Sequence, residues 1–208
     1  MYRRRLKYSP VKNLFRFASS KTKSVLIVES SLEFDTCFHL EYSPEITIFE
    51  AQPEGFYYGF EGKRCPYTPD FKVHHQQSGE QFIEVKPLAK TFKEDFRARF
   101  QAKQEVAREV GSTLLLITER QIRVYPFLNN LKLLHRYSGF QSVTPAHTRI
   151  LELVEIYGII SLVNLVCVAE LKEGEILSAT LSLIAQGKLS TNLFDQNFSL
   201  DSEIWEGI

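Results

Sequence analysis

The sequence predicts an α/β protein with a mixed β-sheet flanked by helices, followed by a small helical domain. Stretches rich in Ile, Phe and Tyr, typical of strands, occupy much of the first 120 of 208 residues. One helical pattern precedes them and another interrupts them. An apolar run at 112–118 is typical of a buried central strand. After about residue 141, short Leu, Ile and Val patterns with helical spacing predict a second domain.

The charge balance of the whole chain conceals two oppositely charged ends. Overall, 25 Lys and Arg balance 25 Asp and Glu, and 44% hydrophobic residues exclude disorder as the general state. Residues 1–30 carry eight basic groups and one acid, a net charge of +7, whereas residues 142–208 carry three basic groups and nine acids, a net charge of −6. We therefore expect the first end to bind phosphate and the second to avoid it.

The basic N-terminal arm, residues 1–29, interleaves Lys and Arg with Tyr and Phe before it leads into the core. Its residues 1–23 suit a flexible segment that lies along a nucleic-acid backbone and orders on binding. A disordered tail that only keeps the protein soluble is an equally good interpretation.

The cysteines and the hydropathy pattern bear on cellular location. Cys37, Cys65 and Cys167 are far apart and form no C-x-x-C pair, which argues against a disulfide framework and a structural zinc site. The N-terminus lacks a signal-peptide core, and the most apolar run, 159–169, is too short to span a bilayer. A cytoplasmic protein is expected.

The elements of the predicted first domain, residues 30–141, follow from caps, periodicity and turn residues. Ser30 and Ser31 are candidate caps of a helix that ends before Pro44. Strands are predicted at 45–51, 55–60, 67–74 and 81–86. A helix at about 91–110 follows Pro87 and ends at Gly111.

Alternation along 67–87 predicts a hairpin that brings carboxylates together. Phe71 and Val73 share one face of the first strand, so Asp70, Lys72 and His74 share the other. On the second strand, Ile83 and Val85 face one way and Glu84 and Lys86 the other. Two registers around the Gln77-Ser78-Gly79 turn keep this parity, and they place Asp70 opposite either Lys86 or Glu84.

Two carboxylates and a lysine at one end of a sheet are better explained by chemistry than by stability, because desolvating charges is costly. Carboxylate oxygens suit Mg²⁺ or Mn²⁺, and an adjacent ammonium can stabilise charge that develops on phosphorus. Glu33, on the upstream helix, is a further carboxylate able to join them. The residues therefore predict a phosphodiester hydrolase. The alternative is a hairpin whose charges are merely solvated.

The motif Pro69-Asp70…Glu84-Val85-Lys86 resembles the PD-(D/E)xK motif of restriction-endonuclease-like nucleases. Together with Ser30-Ser-Leu-Glu33, Tyr67-Thr-Pro-Asp-Phe71 and Val85-Lys-Pro87, it is similar to the TnsA family, the endonuclease subunit of heteromeric bacterial transposases. The likeness covers about the first 120 residues. It implies a restriction-endonuclease-like fold in which the positions of Glu33, Asp70 and Lys86 carry catalysis.

The resemblance also implies a cofactor, a substrate and partners. Glu33 and Asp70 would hold Mg²⁺, or Mn²⁺ in its place, with Glu84 helping, although some relatives have glutamine at the position of Glu84. The substrate would be double-stranded DNA at transposon ends, cut on the 5′ strand. A DDE-type transposase subunit and an ATP-dependent regulator would be the partners, and the complex would be nucleoid-associated. A restriction or repair nuclease acting alone, or a non-catalytic DNA or partner adaptor, are the alternatives.

The helix after Pro87 offers a candidate DNA-contacting stripe. Because each residue turns an α-helix by 100°, the basic and amide side chains of this segment fall on one side of the helix. They are Lys90, Lys93, Arg97, Gln101, Gln104 and Arg108. Phe92 and Phe96 lie broadly opposite, and Arg99 and Lys103 fall on the apolar side. Simple solvation of a basic face is the alternative.

The C-terminal domain, residues 142–208, is predicted to resemble a winged helix that binds a partner. Thr144 and Pro145 begin a helix that Gly158 ends, and two helices at 161–168 and 173–186 and a hairpin at 188–198 follow. The third helix contains no Lys or Arg, which favours a protein partner over DNA. Trp205 either anchors in a partner or packs on its own domain.

Overall fold

A four-stranded mixed sheet forms the frame of the first part of the molecule. The structure is a computed structural model that describes residues 13–139 and 142–207. The chain divides after Arg123 into two compact units. The elements of the first unit are β1 (Phe15–Ser19), β2 (Ser24–Val28), α1 (Ser31–Tyr42), β3 (Ile46–Ala51), β4 (Phe56–Phe60), β5 (Lys63–Tyr67), β6 (Phe71–His75), β7 (Gly79–Val85), α2 (Leu88–Thr91), α3 (Glu94–Glu109), β8 (Thr113–Ile117) and α4 (Glu119–Ile122).

The sheet has the strand order β3-β6-β7-β8. The pairs β3–β6 and β6–β7 are antiparallel, while β7 and β8 run parallel and are joined through α2 and α3. Helix α1 packs against β3, and α3 packs against β8 and β4. A mixed sheet flanked by helices confirms the predicted α/β class and fits a restriction-endonuclease-like fold.

The β6–β7 hairpin has the tighter of the two predicted registers. Phe71 pairs with Ile83 and His75 with Gly79, so Asp70, just before β6, lies opposite Glu84. Phe82, Ile83, Glu84 and Val85 are all buried, because β7 is an interior strand covered on both faces. The register therefore places two acidic side chains on the same face at one end of the sheet.

Strand β5 was missed by the sequence analysis, which extended the following strand back to Tyr67. The stretch Lys63-Arg-Cys-Pro66 has a weak β pattern, yet it pairs antiparallel with β4 in a separate two-stranded sheet. Tyr67 ends β5, and Thr68 to Asp70 connect it to β6. The aromatic rings of Tyr58 and Tyr67 pack in one cluster with Phe82 and Ala107. This packing brings the Tyr67 side chain to the acidic end of β7.

The predicted basic arm is a folded hairpin over residues 15–28, so the expectation of a flexible segment through residue 23 is wrong for residues 15–23. Strands β1 and β2 pair antiparallel, and the Phe17 ring is only 1% exposed and packs edge-on against Phe38 at 5.1 Å. The Lys21 ammonium donates to the carbonyls of Leu40 and Ser43 at the end of α1. The triple arginine at positions 3–5 lies outside the described residues.

The helix predicted at 91–110 is present as α3, and a separate short helix, α2, precedes it. Helix α2 ends at Thr91, and α3 begins at Glu94 after Lys93, whose ψ of 129° is extended rather than helical. Lys90 is therefore not on the helix that carries Arg97 and Arg108, and the predicted basic stripe is not continuous. The Gln104 amide donates to the Leu114 carbonyl at 3.0 Å, so this residue faces the sheet.

The second unit is a helical domain with a small sheet. Its elements are α5 (Phe127–Tyr137), α6 (Pro145–Tyr157), β9 (Ile159–Ser161), α7 (Leu162–Val168), α8 (Glu173–Ala185), β10 (Leu189–Thr191) and β11 (Glu203–Glu206). The antiparallel sheet has the order β10-β11-β9. Ile150, Leu162, Ile176 and Ile204 are fully buried and belong to one apolar core.

The second unit begins earlier than the boundary expected near residue 141, because α5 packs against α8. Asn130 of α5 is buried, and its amide donates to the carbonyls of Leu193 and Gln196 at 2.8 Å each. These bonds hold 192–198 as a loop, so the hairpin predicted at 188–198 is wrong: β10 pairs instead with β11. Trp205 lies in β11, the central strand, opposite Ile159, and is half-buried.

The helices of both units are too short or too polar to cross a bilayer. Within residues 13–139 and 142–207, no helix combines sufficient length with sufficient hydropathy.

Candidate functional site

Asp70 is fixed at the end of the sheet by its own backbone and by the next strand. Its N–H donates to the Ile83 carbonyl at 3.0 Å, and one carboxylate oxygen accepts the Val85 N–H at 2.7 Å. Pro69, which precedes Asp70, restricts the backbone conformation at this point because its ring fixes φ. The Asp70 carboxylate is therefore held in place at the opening between β6 and β7.

Burial and neighbouring carboxylates together raise the pKa of Asp70. The pKa of Asp70 is raised to about 8, chiefly by burial and then by the charges of Glu84 and Glu33, while the Val85 N–H and Lys86 oppose the shift. The three predicted acidic residues therefore interact at one place, although they lie far apart in the sequence. The Val85 N–H and Lys86 offset the repulsion among these carboxylates only in part.

Glu33 lies in the first turn of α1 and is 7% exposed. Its backbone N–H donates to the Ser30 hydroxyl oxygen at 3.1 Å, and one carboxylate oxygen accepts the Ser30 hydroxyl at 2.7 Å. The other oxygen accepts the Glu29 N–H at 3.0 Å. This reciprocal cap confirms Ser30 as the N-cap and fixes the carboxylate at the helix N-terminus, where the helix dipole favours negative charge.

Glu84 makes close contacts through both of its carboxylate oxygens. The Tyr67 hydroxyl donates to one oxygen at 2.6 Å. The ammonium groups of Lys86 and Lys103 approach the other at 3.2 and 3.8 Å. With 4% exposure, Glu84 is satisfied by protein partners and holds the Lys86 ammonium close to the acidic cluster.

Tyr67 and Lys103 are site residues that sequence reasoning missed. Lys103 projects from α3 with a side chain only 13% exposed, and its ammonium lies 3.9 Å from the centre of the Tyr67 ring. Burial lowers the pKa of Lys103, while Glu84 opposes that shift. The available signal was the position of Lys103 on the apolar side of the helix, where a lysine needs an anionic partner.

Lys86 and Glu33 line the same open cavity of about 370 Å³. Lys90 and Arg123 add two further cations to its wall, and Arg123 is held by Asp35 at 2.9 Å. Glu119 also lines the cavity and accepts the Leu88 N–H at 2.8 Å, which anchors the start of α2. A cavity with three cations beside a carboxylate cluster has the charge pattern that a phosphodiester requires.

The carboxylates fit a hard divalent cation only in part. Glu33 and Asp70 offer carboxylate oxygen atoms whose mutual repulsion is offset only in part, which is the donor chemistry that Mg²⁺ and Mn²⁺ prefer. In the part of the chain that the structure describes, however, no group of three or more His, Cys, Asp and Glu side chains is arranged to hold a metal ion. The contacts of Glu84 explain why it does not complete such a group.

The other candidate DNA-contacting side chains are exposed to solvent. Lys93, Arg97 and Arg108 are exposed, and Arg97 stacks loosely over Phe92, with 5.9 Å between guanidinium and ring centre. Arg97 and Arg108 line an open groove of about 530 Å³ together with Phe92 and Phe96. Contact of these side chains with DNA stays a prediction.

Residues 43–119 match the family described as TnsA-like endonuclease N terminal. The match includes Asp70, Glu84, Lys86 and Lys103, lies downstream of Glu33, and spans less than half of the chain. It supports assigning the chain to the TnsA-like family and indicates a nuclease. No curated protein matches the chain significantly.

The shifted pKa of Asp70 predicts a pH-dependent stability. Because the folded-state pKa is about 8 and the ordinary value is 3.8, the folded state loses stability as pH rises between those values. Asp70→Asn keeps an acceptor for the Val85 N–H and removes the charge. In EDTA, we expect this variant to exceed wild type in unfolding free energy by roughly 1–3 kcal/mol at pH 9, and by much less at pH 5. Urea unfolding at both pH values measures this; an equal difference at both would contradict it.

Proposed function

We propose that this TnsA-like protein is a metal-dependent DNA endonuclease that cuts the 5′ strand at transposon ends within a heteromeric transposase. The observation that carries the proposal is the convergence of Glu33, Asp70 and Lys86 beside one cavity with cationic walls. The family match supports a DNA substrate and a transposase partner. The site has the acids, the ammonium and the open space that phosphodiester hydrolysis needs.

In the proposed reaction each side chain has a separate task. Glu33 and Asp70 would hold the cation, and Mg²⁺ there would supply charge that makes water more acidic and stabilises the transition state. Lys86 donates to a non-bridging oxygen of the scissile phosphate while Glu84 orients its ammonium. Water attacks phosphorus, the P–O3′ bond breaks, and O3′ leaves with a proton. The products are a 3′-hydroxyl and a 5′-phosphate.

Lys90 and Arg123 suit the flanking phosphates. Both line the cavity that contains Lys86, and Arg123 is oriented by Asp35 and by the Ser31 hydroxyl at 3.2 Å. A planar guanidinium held by two partners pairs with phosphate oxygens at little further cost in entropy. These residues would place the backbone of the cut strand over the carboxylates.

The proposal is tested by strand-specific cleavage of transposon-end DNA in Mg²⁺, with the transposase and regulator present. We expect wild type to cut the 5′ strand, and Asp70→Ala and Lys86→Ala to lose at least about 100-fold in rate, as is typical when a charge-stabilising group is removed. Lys72→Ala is the matched control, because Lys72 lies on the same hairpin and its ammonium pairs with the Glu80 carboxylate at 3.2 Å.

Two results would contradict the proposal. Wild-type rates for both variants would refute the enzyme assignment and favour an adaptor. Strong cleavage of plain DNA by the isolated protein would instead favour a restriction or repair nuclease acting alone.

The second unit is proposed to be a winged-helix-like domain, which docks an ATP-dependent regulator. The order α6, β9, α7, α8, β10 and β11 supports that fold assignment. Ile156, Tyr157 and Ile159 are 71%, 54% and 62% exposed, and they form an apolar surface near the end of α6. Trp205 adjoins it, since it pairs with Ile159 across the sheet. Exposed apolar side chains in an acidic domain suit a protein partner better than DNA.

Replacing the apolar surface by charge tests the docking role. We expect Ile156→Asp combined with Ile159→Asp to weaken binding of the regulator by at least about tenfold, because an apolar contact would have to bury two carboxylates. Val25→Asp is the control, since Val25 is 61% exposed in the first unit. Titration of the labelled regulator measures the affinity, and unchanged binding by the double variant would refute this surface.

A further inference from the structure

Gln52 lies directly beside the acidic cluster, although no sequence motif marks it. It follows the last residue of β3, and its backbone N–H donates to the Asp70 carbonyl at 2.9 Å. Since Ala51 pairs with Phe71, this bond extends the β3–β6 ladder by one residue. The side chain of Gln52 therefore starts from the same end of the sheet as Asp70.

The backbone of Gln52 is in a conformation that glutamine seldom adopts. Its φ is +51°, in the left-handed region that favours glycine. Residues persist in such conformations when the surrounding structure holds them there, and these residues are frequent at functional sites. The unusual backbone turns the chain at the point where β3 leaves the sheet beside Asp70.

In the side chain of Gln52, the amide nitrogen has a hydrogen-bond partner, whereas the carbonyl oxygen has none among the described residues. Its amide nitrogen lies 3.5 Å from the Glu33 carboxylate, at the limit of a hydrogen bond. Its carbonyl oxygen, Oε1, is buried and has no hydrogen-bond partner, one of four such side-chain atoms in the described residues. A buried acceptor without a donor is costly, so a missing partner is the natural explanation.

A divalent cation fits this oxygen better than other partners do. The Gln52 side-chain amide lies against the Glu33 carboxylate, and the Gln52 backbone bonds to the backbone of Asp70, whose side chain starts from the same end of the sheet. Within the described residues, carboxylates, imidazoles and thiols do not supply a third ligand, and Glu84 is engaged by Tyr67, Lys86 and Lys103. An amide oxygen is an ordinary ligand for a hard cation.

We propose that Gln52 Oε1 is the third protein oxygen ligand of the divalent cation that Glu33 and Asp70 hold. This inference rests on the proposed metal-dependent function and adds a ligand to its site. Glu84 then acts as a positioning residue for Lys86. The alternative is that the Gln52 amide only donates to Glu33 and keeps that carboxylate in place.

Binding of Mn²⁺ alone tests the ligand role on the full chain without DNA or partners. Free Mn²⁺ is counted by its electron paramagnetic resonance signal during titration. For Gln52→Ala we expect affinity to fall at least tenfold. For Gln52→Glu, which offers a carboxylate oxygen at the same reach, we expect affinity equal to or greater than that of wild type.

The glutamate variant separates the two roles of Gln52. If the amide is only a donor to Glu33, a glutamate there repels Glu33 and weakens binding, which would overturn the ligand assignment. Gln76→Ala is the matched control and should bind as wild type. Gln76 follows β6 at the other end of the same ladder, and its amide donates to the Pro44 carbonyl at 3.0 Å.

A further variant distinguishes failure of this inference from failure of the proposed function. If Asp70→Ala abolishes Mn²⁺ binding while Gln52→Ala binds as wild type, only the role of Gln52 is refuted. If wild type binds no Mn²⁺, or Asp70→Ala binds as well as wild type, the metal site itself is refuted. Thermal unfolding without metal checks that each variant folds.

Discussion

The crowding of two carboxylates, Glu84 and Glu33, around the half-buried Asp70 is the interaction on which the rest of this site depends. Desolvation disfavours the charged form of Asp70 most strongly, and the charges of Glu84 and Glu33 add to this effect. Such an arrangement costs folding free energy in the absence of a counter-charge. The cost has a functional explanation if a cation enters the cluster, because the cation turns mutual repulsion into shared coordination.

The fold accounts for how the cluster forms. The β6–β7 register places Asp70 opposite Glu84, and the cap at Ser30 fixes Glu33. Around Glu84, the β4–β5 hairpin supplies Tyr67 and α3 supplies Lys103. Glu84 is therefore paired with protein cations, whereas Glu33 and Asp70 face each other at the end of the sheet without such a pair in the described part of the chain.

The parts of this arrangement that local rules govern could be predicted from the sequence. Alternation predicted the parity of the hairpin, and the Ser30 cap followed from helix-end preferences. The role of Glu84 could not be resolved in this way, because its partners Tyr67 and Lys103 reach it through tertiary packing. The folded β1–β2 hairpin was missed because its basic residues obscured the alternation that buries Phe17. Gln52 carries no sequence signal, since its significance lies in a backbone angle and an unsatisfied atom.

The central claim is that the acidic cluster holds a cation, and a crystal structure grown in Mn²⁺ tests it most directly through anomalous scattering. The account predicts one anomalous peak within about 2.0–2.6 Å of carboxylate oxygens from both Glu33 and Asp70. A well-ordered crystal at saturating Mn²⁺ with no peak between these two residues would contradict it.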